Sequence, residues 1–240
     1  MKVIEKKKNQ ITFSAELEEP LANAIRRYID QIPILAIDEV EISKNDSALY
    51  DETVAHRLGV VPLKMIKGMN EKTEEQLTLV VKKDGFVYSE ELKGKVNPVY
   101  GKIPITLLKK GQELEILATA RLGKGSKHAK FSPGLMFYRN VMKLKIDKDC
   151  PKEVVGICPL KILKNEGGKV IAVDENKCDA CEACIDFCKK KGKNSIELIP
   201  TNELIITVES FGQMDEDEMF KKSIEVLKED LEEVSKKISK

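Results

Sequence analysis

The feature that most constrains this 240-residue chain is a run of four closely spaced cysteines. They follow a C-x2-C-x2-C-x3-C pattern at Cys178, Cys181, Cys184 and Cys188. Bacterial ferredoxins use this spacing to hold an iron–sulfur cluster. Two-residue gaps allow one loop to place three thiolates around one face of a cubic cluster, and the fourth ligand then comes from elsewhere in the chain. The run therefore predicts an iron–sulfur centre.

Two other uses of these cysteines stay open. A structural zinc site usually draws two Cys-x-x-Cys or Cys/His pairs from separate loops. A disulfide framework would leave several neighbouring cysteines competing for partners. Because the four cysteines form one run and do not come as two pairs from separate loops, the spacing favours the iron–sulfur cluster.

The sequence upstream of the run predicts how many clusters to expect. In two-cluster ferredoxins the fourth cysteine of each run ligates the other cluster. Cys158 and the proline after it match the end of a second run, but its other three positions hold Lys148, Pro151 and Val154. We therefore expect one cluster, with [4Fe-4S] favoured and [3Fe-4S] as the alternative. Its expected ligands are Cys158, Cys178, Cys181 and Cys184.

Two cysteines are left over by this assignment. Cys188 stays open as an alternative fourth ligand, and a disulfide from Cys188 to a neighbouring cysteine would leave a three-iron cluster. Cys150 has two equally good explanations: it is a small buried apolar residue, or it has a role at a metal.

Composition argues against several classes of function. Charged residues make up 34% of the chain and hydrophobic residues 42%, with 41 Lys and Arg against 40 Asp and Glu. A dedicated nucleic-acid-binding protein is normally clearly basic, and with no Trp there is little to stack on bases. We expect no sequence-specific nucleic-acid binding. The sequence shows no apolar run long enough to span a membrane and no signal peptide. We therefore expect a cytoplasmic protein with no membrane partner.

Periodicity predicts a mixed α+β chain. The pattern indicates a strand–turn–strand unit over 2–17, a helix from Pro20 to Pro33, a strand over 35–42 and a short helix over 51–58. Strands are expected in the middle of the chain and near its end, over 76–82, 113–121, 141–146 and 203–209. A long amphipathic helix is expected over 215–238.

Two apolar stripes predict a partner interface. The last helix carries a heptad-like seam at 4,3,4,3,4 spacing, formed by Phe220, Ile224, Leu227, Leu231, Val234 and Ile238. The helix after Pro20 carries a second stripe, formed by Leu21, Ile25, Tyr28 and Ile29. Left bare, two such stripes would exceed the apolar patch that soluble monomers usually expose. The pattern favours a partner subunit, and packing against the chain's own sheet is the alternative.

A search for catalytic residues predicts none. The sequence shows no Ser/His/Asp set and no pair of carboxylates flanked by glycines that would join His56 or His128 in a hydrolytic or phosphoryl-transfer site. The Gly123 turn lacks the upstream glycine of a phosphate-binding loop. The basic side chains of the 121–130 turn, Arg121, Lys124, Lys127 and Lys130, leave a partner contact open.

Several stretches resemble one family. The segments at 23–29 (Asn-Ala-Ile-Arg-Arg-Tyr-Ile), 32–38 (Ile-Pro-Ile-Leu-Ala-Ile-Asp) and 51–63 (Asp-Glu-Thr-Val-Ala-His-Arg-Leu-Gly-Val-Val-Pro-Leu) resemble the signature of the D subunits of archaeal DNA-directed RNA polymerase. Further landmarks match at 128–133 and 208–212. This family is similar to the third-largest subunit of eukaryotic RNA polymerase II and to the bacterial α N-terminal domain.

The resemblance implies a domain layout and a set of partners. Residues 1–43 plus 196–240 would form a dimerisation domain, 44–146 a β-rich insert domain and 147–195 a ferredoxin-like iron–sulfur domain. The chain would pair with subunit L, and the heterodimer would bind subunits N and P and the large catalytic subunits. It would then be a non-catalytic assembly platform within a nucleotidyltransferase complex. The alternative function is a ferredoxin-type electron carrier or redox-enzyme subunit.

Overall fold

The computed structural model describes residues 1–66, 68–70 and 73–238, and the chain forms two compact units. The first unit combines Met1–Glu5, Thr12–Ala22 and Phe137–Thr207. The second combines Lys6–Ile11, Asn23–Met136 and Val208–Lys240. Both units are therefore assembled from segments that are distant in sequence.

Strands and helices are mixed along the chain, in agreement with the expected fold class. In chain order the elements are β1 (Lys2–Lys7), β2 (Gln10–Glu16), α1 (Glu19–Tyr28), β3 (Ile34–Asn45), α2 (Asp51–Gly59), β4 (Glu74–Val81), β5 (Gly85–Tyr88), β6 (Lys93–Gly94), β7 (Pro104–Leu108), β8 (Leu114–Gly123), β9 (Gly134–Ile146), β10 (Leu163–Glu166), β11 (Lys169–Ala172), α3 (Ala183–Lys190), β12 (Ile196–Ser210) and α4 (Glu216–Ile238). Within the described residues, no helix is long and apolar enough to cross a membrane.

The first unit is built on a four-stranded sheet and a small cysteine-rich core. The sheet has the order β1-β2-β12-β9, and β10 and β11 form a separate antiparallel hairpin. The core beside the hairpin contains Cys150, Cys178, Cys184 and Cys188 together with Val154, Ile162, Leu163, Val170 and Ile196. Four thiols thus occupy positions that larger apolar side chains would fill in an ordinary core.

The second unit contains the larger hydrophobic core. Its main sheet has the order β3-β8-β4-β6, and β8 pairs antiparallel with both β3 and β4. Leu77, Leu79 and Val81 alternate along β4 and are buried, as expected for a strand with one face on the core. Val54 and Leu58 of α2 are buried in the same core.

The short two-stranded sheet of β5 and β7 was not predicted from the sequence. Its strands pair from Gly85 opposite Leu108 to Tyr88 opposite Pro104. In β5 only Val87 is buried, while Phe86 is 52% exposed. A strand this short offers too few alternating positions for the period-two pattern to be recognised.

Helix α4 begins where its charges suit the helix dipole. Glu216, Asp217 and Glu218 occupy its first turn, where the unpaired backbone N–H groups favour negative charge. Lys6 of β1 adds ion pairs of 3.1 Å to Glu216 and 3.2 Å to Asp217. These interactions explain the acidic cluster at this position without a metal ion.

Candidate functional site

Four of the six cysteines line one narrow cavity in the first unit. Cys158, Cys178, Cys181 and Cys184 all contribute to its wall, and leucine and isoleucine side chains, Leu144, Leu160, Ile162, Leu163 and Leu198, form most of the remainder. All six cysteines lie in the described part of the chain and are free thiols. The structure therefore brings together the four predicted cluster ligands, although Cys158 comes from a different loop than the other three.

The loop that carries these cysteines has an unusual backbone. Ala180 and Glu182 have φ values of 56° and 58°, in the left-handed region that residues other than glycine rarely adopt. Helix α3 begins directly afterwards at Ala183 and carries Cys184 and Cys188. These two left-handed residues lie between the three cysteines of the run, and Cys178, Cys181 and Cys184 line the same cavity.

Burial makes the cavity a poor environment for isolated thiolates. Burial raises the pKa of Cys178 above its ordinary value and raises the pKa of Cys184 to about 11. The backbone N–H groups of Ala180 and Ile185 partly offset this effect, because they donate to the sulfurs of Cys178 and Cys184. A site of this kind holds charged sulfurs when a cation is present to compensate them.

The two remaining cysteines contact each other. Cys188 is 1% exposed and is not among the residues that line the cavity. Its thiol lies beside that of Cys150, and burial, followed by the proximity of Cys188, raises the pKa of Cys150 to about 11. Cys188 is therefore placed as a partner of Cys150 and away from the position of a fourth cavity ligand.

The grouping of possible ligands bears on the kind of metal that would fit. Across residues 1–66, 68–70 and 73–238, no three His, Cys, Asp or Glu side chains are close enough to hold one metal ion. The four cysteines line the wall of one cavity. In an iron–sulfur cluster the thiolates bind separate iron atoms around a shared core, whereas a zinc ion is held by four ligands at one centre.

Arg139 was missed by sequence analysis although it contacts the cysteine loop. Its Nη1 donates to the carbonyl of Cys178 at 2.8 Å, and its Nη2 donates to the carbonyl of Asn176 at 2.5 Å. Arg139 lies on β9, far from the cysteines in sequence. No local pattern distinguishes it from the other cationic residues of that strand, so only the fold reveals it.

The second candidate site is the apolar seam of α4. Leu231, Val234 and Ile238 are 59%, 51% and 80% exposed, and Ile224 is 39% exposed. Leu227 is buried, and Phe220 is partly buried. The first half of the helix therefore packs within its own unit, and the apolar residues of the second half are left uncovered.

The stripe predicted on α1 is largely covered within the chain. Leu21 is 47% exposed, but Ile25 and Ile29 are only 4% and 1% exposed. Ile29 belongs to the short turn after α1 that contacts α4. Tyr28 is partly buried, and burial, followed by the proximity of Asp230 of α4, raises the pKa of its hydroxyl. The chain itself therefore covers Ile25 and Ile29, and Leu21 is the most exposed residue of this stripe.

Two of the four cations singled out in the basic turn at 121–130 form ion pairs within the chain. Lys130 forms a 2.6 Å ion pair with Asp38. Arg121 pairs with Glu39 at 2.6 Å and with Glu74 at 2.8 Å. Arg121 of β8 thereby links β8 to β3 and β4, and Lys130 links the turn to β3.

The histidines lie in the second unit and share a shallow groove. His56 and His128 both line it, together with Asp38 and Lys130. Nδ1 of His128 accepts a hydrogen bond of 3.1 Å from the backbone N–H of Lys130. His128 thereby caps the short turn that starts at Ala129, which gives it a structural role.

Comparison with known proteins identifies the family. Residues 40–136 match the family described as the RNA polymerase Rpb3/RpoA insert domain. The DNA-directed RNA polymerase subunit Rpo3 of Thermococcus kodakarensis is 34% identical over 94% of this chain and 92% of its own length. The chain belongs to the Rpo3 family of DNA-directed RNA polymerase subunits. The expectation drawn from the signature segments is confirmed.

Other members of the Rpo3 family match over similar lengths. The Rpo3 subunit of Pyrococcus furiosus is 34% identical over 95% of this chain and 92% of its own length. The Rpo3 subunit of Methanothermobacter thermautotrophicus is 33% identical over 90% of this chain and 89% of its own length. These matches extend well beyond the insert domain, and they give no support to the alternative of a ferredoxin-type electron carrier.

Proposed function

We propose that this Rpo3-family chain is an assembly subunit of DNA-directed RNA polymerase and pairs with the small subunit L through the second half of α4. The observation that carries the proposal is the exposure of Leu231, Val234 and Ile238 on a 23-residue helix. The relatives are named as polymerase subunits, and a subunit needs a surface that an isolated chain leaves uncovered.

Energetics favour burial of this surface against another chain. Complete burial of an aliphatic side chain contributes roughly 1.5–3 kcal/mol. Burial of the exposed apolar side chains of α4 against a partner would therefore contribute several kcal/mol of stabilisation that the isolated chain does not gain. An apolar helix face of this kind is typically covered by a second amphipathic helix or laid into an apolar groove.

The remaining partners follow from the same proposal. The heterodimer with L would bind subunits N and P and then the large catalytic subunits, which would carry the polymerisation chemistry. This chain would act by bringing those subunits together, in the cytoplasm, without a catalytic site of its own.

Co-expression with subunit L tests the proposal. Leu231→Asp combined with Val234→Asp should prevent co-purification of L, because two carboxylates would lose water without gaining a partner. Lys228→Asp serves as the control, because Lys228 is an exposed polar position on the same helix. The proposal fails if the double variant still pairs with L at wild-type level.

We also propose that the chain holds one iron–sulfur cluster, with Cys158, Cys178, Cys181 and Cys184 as ligands. Support comes from the ferredoxin spacing, from the apolar cavity that the four thiols line and from the N–H groups directed at two of the sulfurs. Thiolates of this kind are the usual ligands of both [4Fe-4S] and [3Fe-4S] clusters.

The role that fits the cluster best is structural. Four of the nine buried residues in the core around the cysteines are themselves cysteines, and small cores of this kind often need a metal to fold. When bound, the cluster would supply bonds that join the Cys158 loop to the 178–184 loop. Anaerobic purification followed by iron and sulfide analysis tests the proposal, and a chain without iron would refute it.

A further inference from the structure

We infer that Arg139 is the residue that positions the cysteine loop for cluster binding. The inference deepens the proposed iron–sulfur function and rests on it. Arg139 lies on β9, outside the segment that contains the cysteines, and its guanidinium donates to two backbone carbonyls of the loop.

The two hydrogen bonds hold the segment immediately before the first ligand of the run. The carbonyl of Asn176 belongs to the short turn Glu175–Lys177, and the carbonyl of Cys178 belongs to a ligand. The five N–H groups of a guanidinium have a rigid fork geometry, so one side chain fixes both carbonyls at once. A lysine at this position could not bridge them in the same way.

A second contact from the same strand supports the same segment. The backbone N–H of Leu144 donates to Oε1 of Glu175 at 3.1 Å. Strand β9 therefore holds the turn before Cys178 at two points, through the Arg139 side chain and through the Leu144 backbone. The position of the turn is determined by the sheet more than by the loop itself.

The loop needs outside support because its backbone is strained. Ala180 and Glu182 both occupy the left-handed region, which is unfavourable for residues other than glycine. Without contacts that fix the segment before Cys178, the loop would relax from this conformation. The three thiols of the run would then no longer line one cavity.

Arg139 also places a positive charge next to the ligands. Its guanidinium donates a hydrogen bond of 2.8 Å to the backbone carbonyl of Cys178, which is one of the proposed ligands. A fixed cation stabilises thiolates and the negatively charged cluster that they would hold. Arg139 thus has two separable effects: the hydrogen bonds order the loop, and the charge adjusts the reduction potential of the cluster.

Two substitutions separate these effects. Arg139→Gln removes the charge and the fork, whereas Arg139→Lys keeps the charge and removes the fork. In the full chain co-purified with its partner subunit, both variants should lose the cluster faster in the presence of a chelator, by roughly 10-fold, as is typical when the support of a metal ligand is lost. Only Arg139→Gln should shift the reduction potential of the remaining cluster to a more negative value.

Lys145→Gln is the matched control. Lys145 is a cation of the same strand, and its Nζ pairs with Glu197 at 3.2 Å on the surface. This variant should keep the wild-type rate of cluster loss and the wild-type potential. Wild-type rates and potentials in both Arg139 variants would overturn the inference.

A measurement on metal-free protein distinguishes this inference from the proposed cluster. Hydrogen exchange of residues 175–184 should be faster in Arg139→Gln than in the wild type or in Lys145→Gln, because the loop loses two hydrogen bonds. Equal exchange would show that Arg139 does not order the loop. A wild-type chain that contains no iron but shows this exchange difference would refute the cluster and leave Arg139 with only a structural role.

Discussion

The thiol of Cys188 lies beside the thiol of Cys150, although Cys188 ends the ferredoxin-like run. This proximity separates the cysteines into a group of four around the cavity and a buried pair. A chain that holds one cluster, but keeps the cysteine register of a two-cluster ferredoxin, would be divided in this way.

Substitution of single cysteines should distinguish the two groups. We expect Cys188→Ala to leave the iron content of anaerobically purified protein unchanged, because its sulfur faces Cys150. Cys158→Ala should lower the iron content, because Cys158 lines the cavity. Iron analysis and the visible absorbance of the cluster measure both effects. The opposite result would mean that the fourth ligand is Cys188.

Loss of the cluster should unfold one region and spare the rest. We expect Cys184→Ser to increase proteolysis and hydrogen exchange across residues 150–195, because the small core there would depend on the proposed cluster. Pairing with subunit L should persist, since α4 belongs to the other compact unit. Loss of L binding from a variant whose second unit is still folded would contradict a local structural role.

Two leucines of α4 should respond differently to a charge. Leu227 is 9% exposed, so Leu227→Asp should destabilise the chain by roughly 2–4 kcal/mol even without a partner. Leu231 is 59% exposed, so Leu231→Asp should leave the unfolding free energy of the isolated chain nearly unchanged and weaken assembly. Denaturant unfolding of each variant alone, followed by co-purification with L, gives both quantities.

The Asp38–Lys130 ion pair should make stability depend on pH. The hydrogen bond from Lys130 lowers the pKa of the Asp38 carboxyl below its ordinary value of 3.8. Because the pKa is depressed in the folded state, the stabilisation is present above that value and is lost as the pH falls through the folded pKa.

We therefore expect Asp38→Asn to cost about 0.5–1 kcal/mol at pH 7, as is typical of a partly exposed pair. The difference from the wild type should shrink below pH 3.8, where the wild-type carboxyl also becomes protonated. Unfolding curves measured at several pH values test this dependence. A difference that stays constant down to acid pH would mean that the loss comes from packing and not from charge.

Local sequence patterns were sufficient to predict the regular elements that carry the function. The spacing of Cys178, Cys181 and Cys184 predicted one shared cavity, because two-residue gaps restrict how a loop can turn. The long seam of α4 was recognisable because the 3.6-residue period repeats over many turns. The signature segments from Asn23 to Leu63 predicted the family before any tertiary contact was known.

The tertiary structure decided which surfaces and contacts these elements use. The apolar period predicted that Ile25 and Ile29 would be covered, but only the tertiary structure showed that the chain covers them itself. The contact of Cys150 with Cys188 and the contact of Arg139 with the cysteine loop join residues that are nearly forty positions apart. Periodicity and spacing reflect forces between near neighbours in sequence, whereas these contacts depend on how strands and loops are brought together by the whole fold.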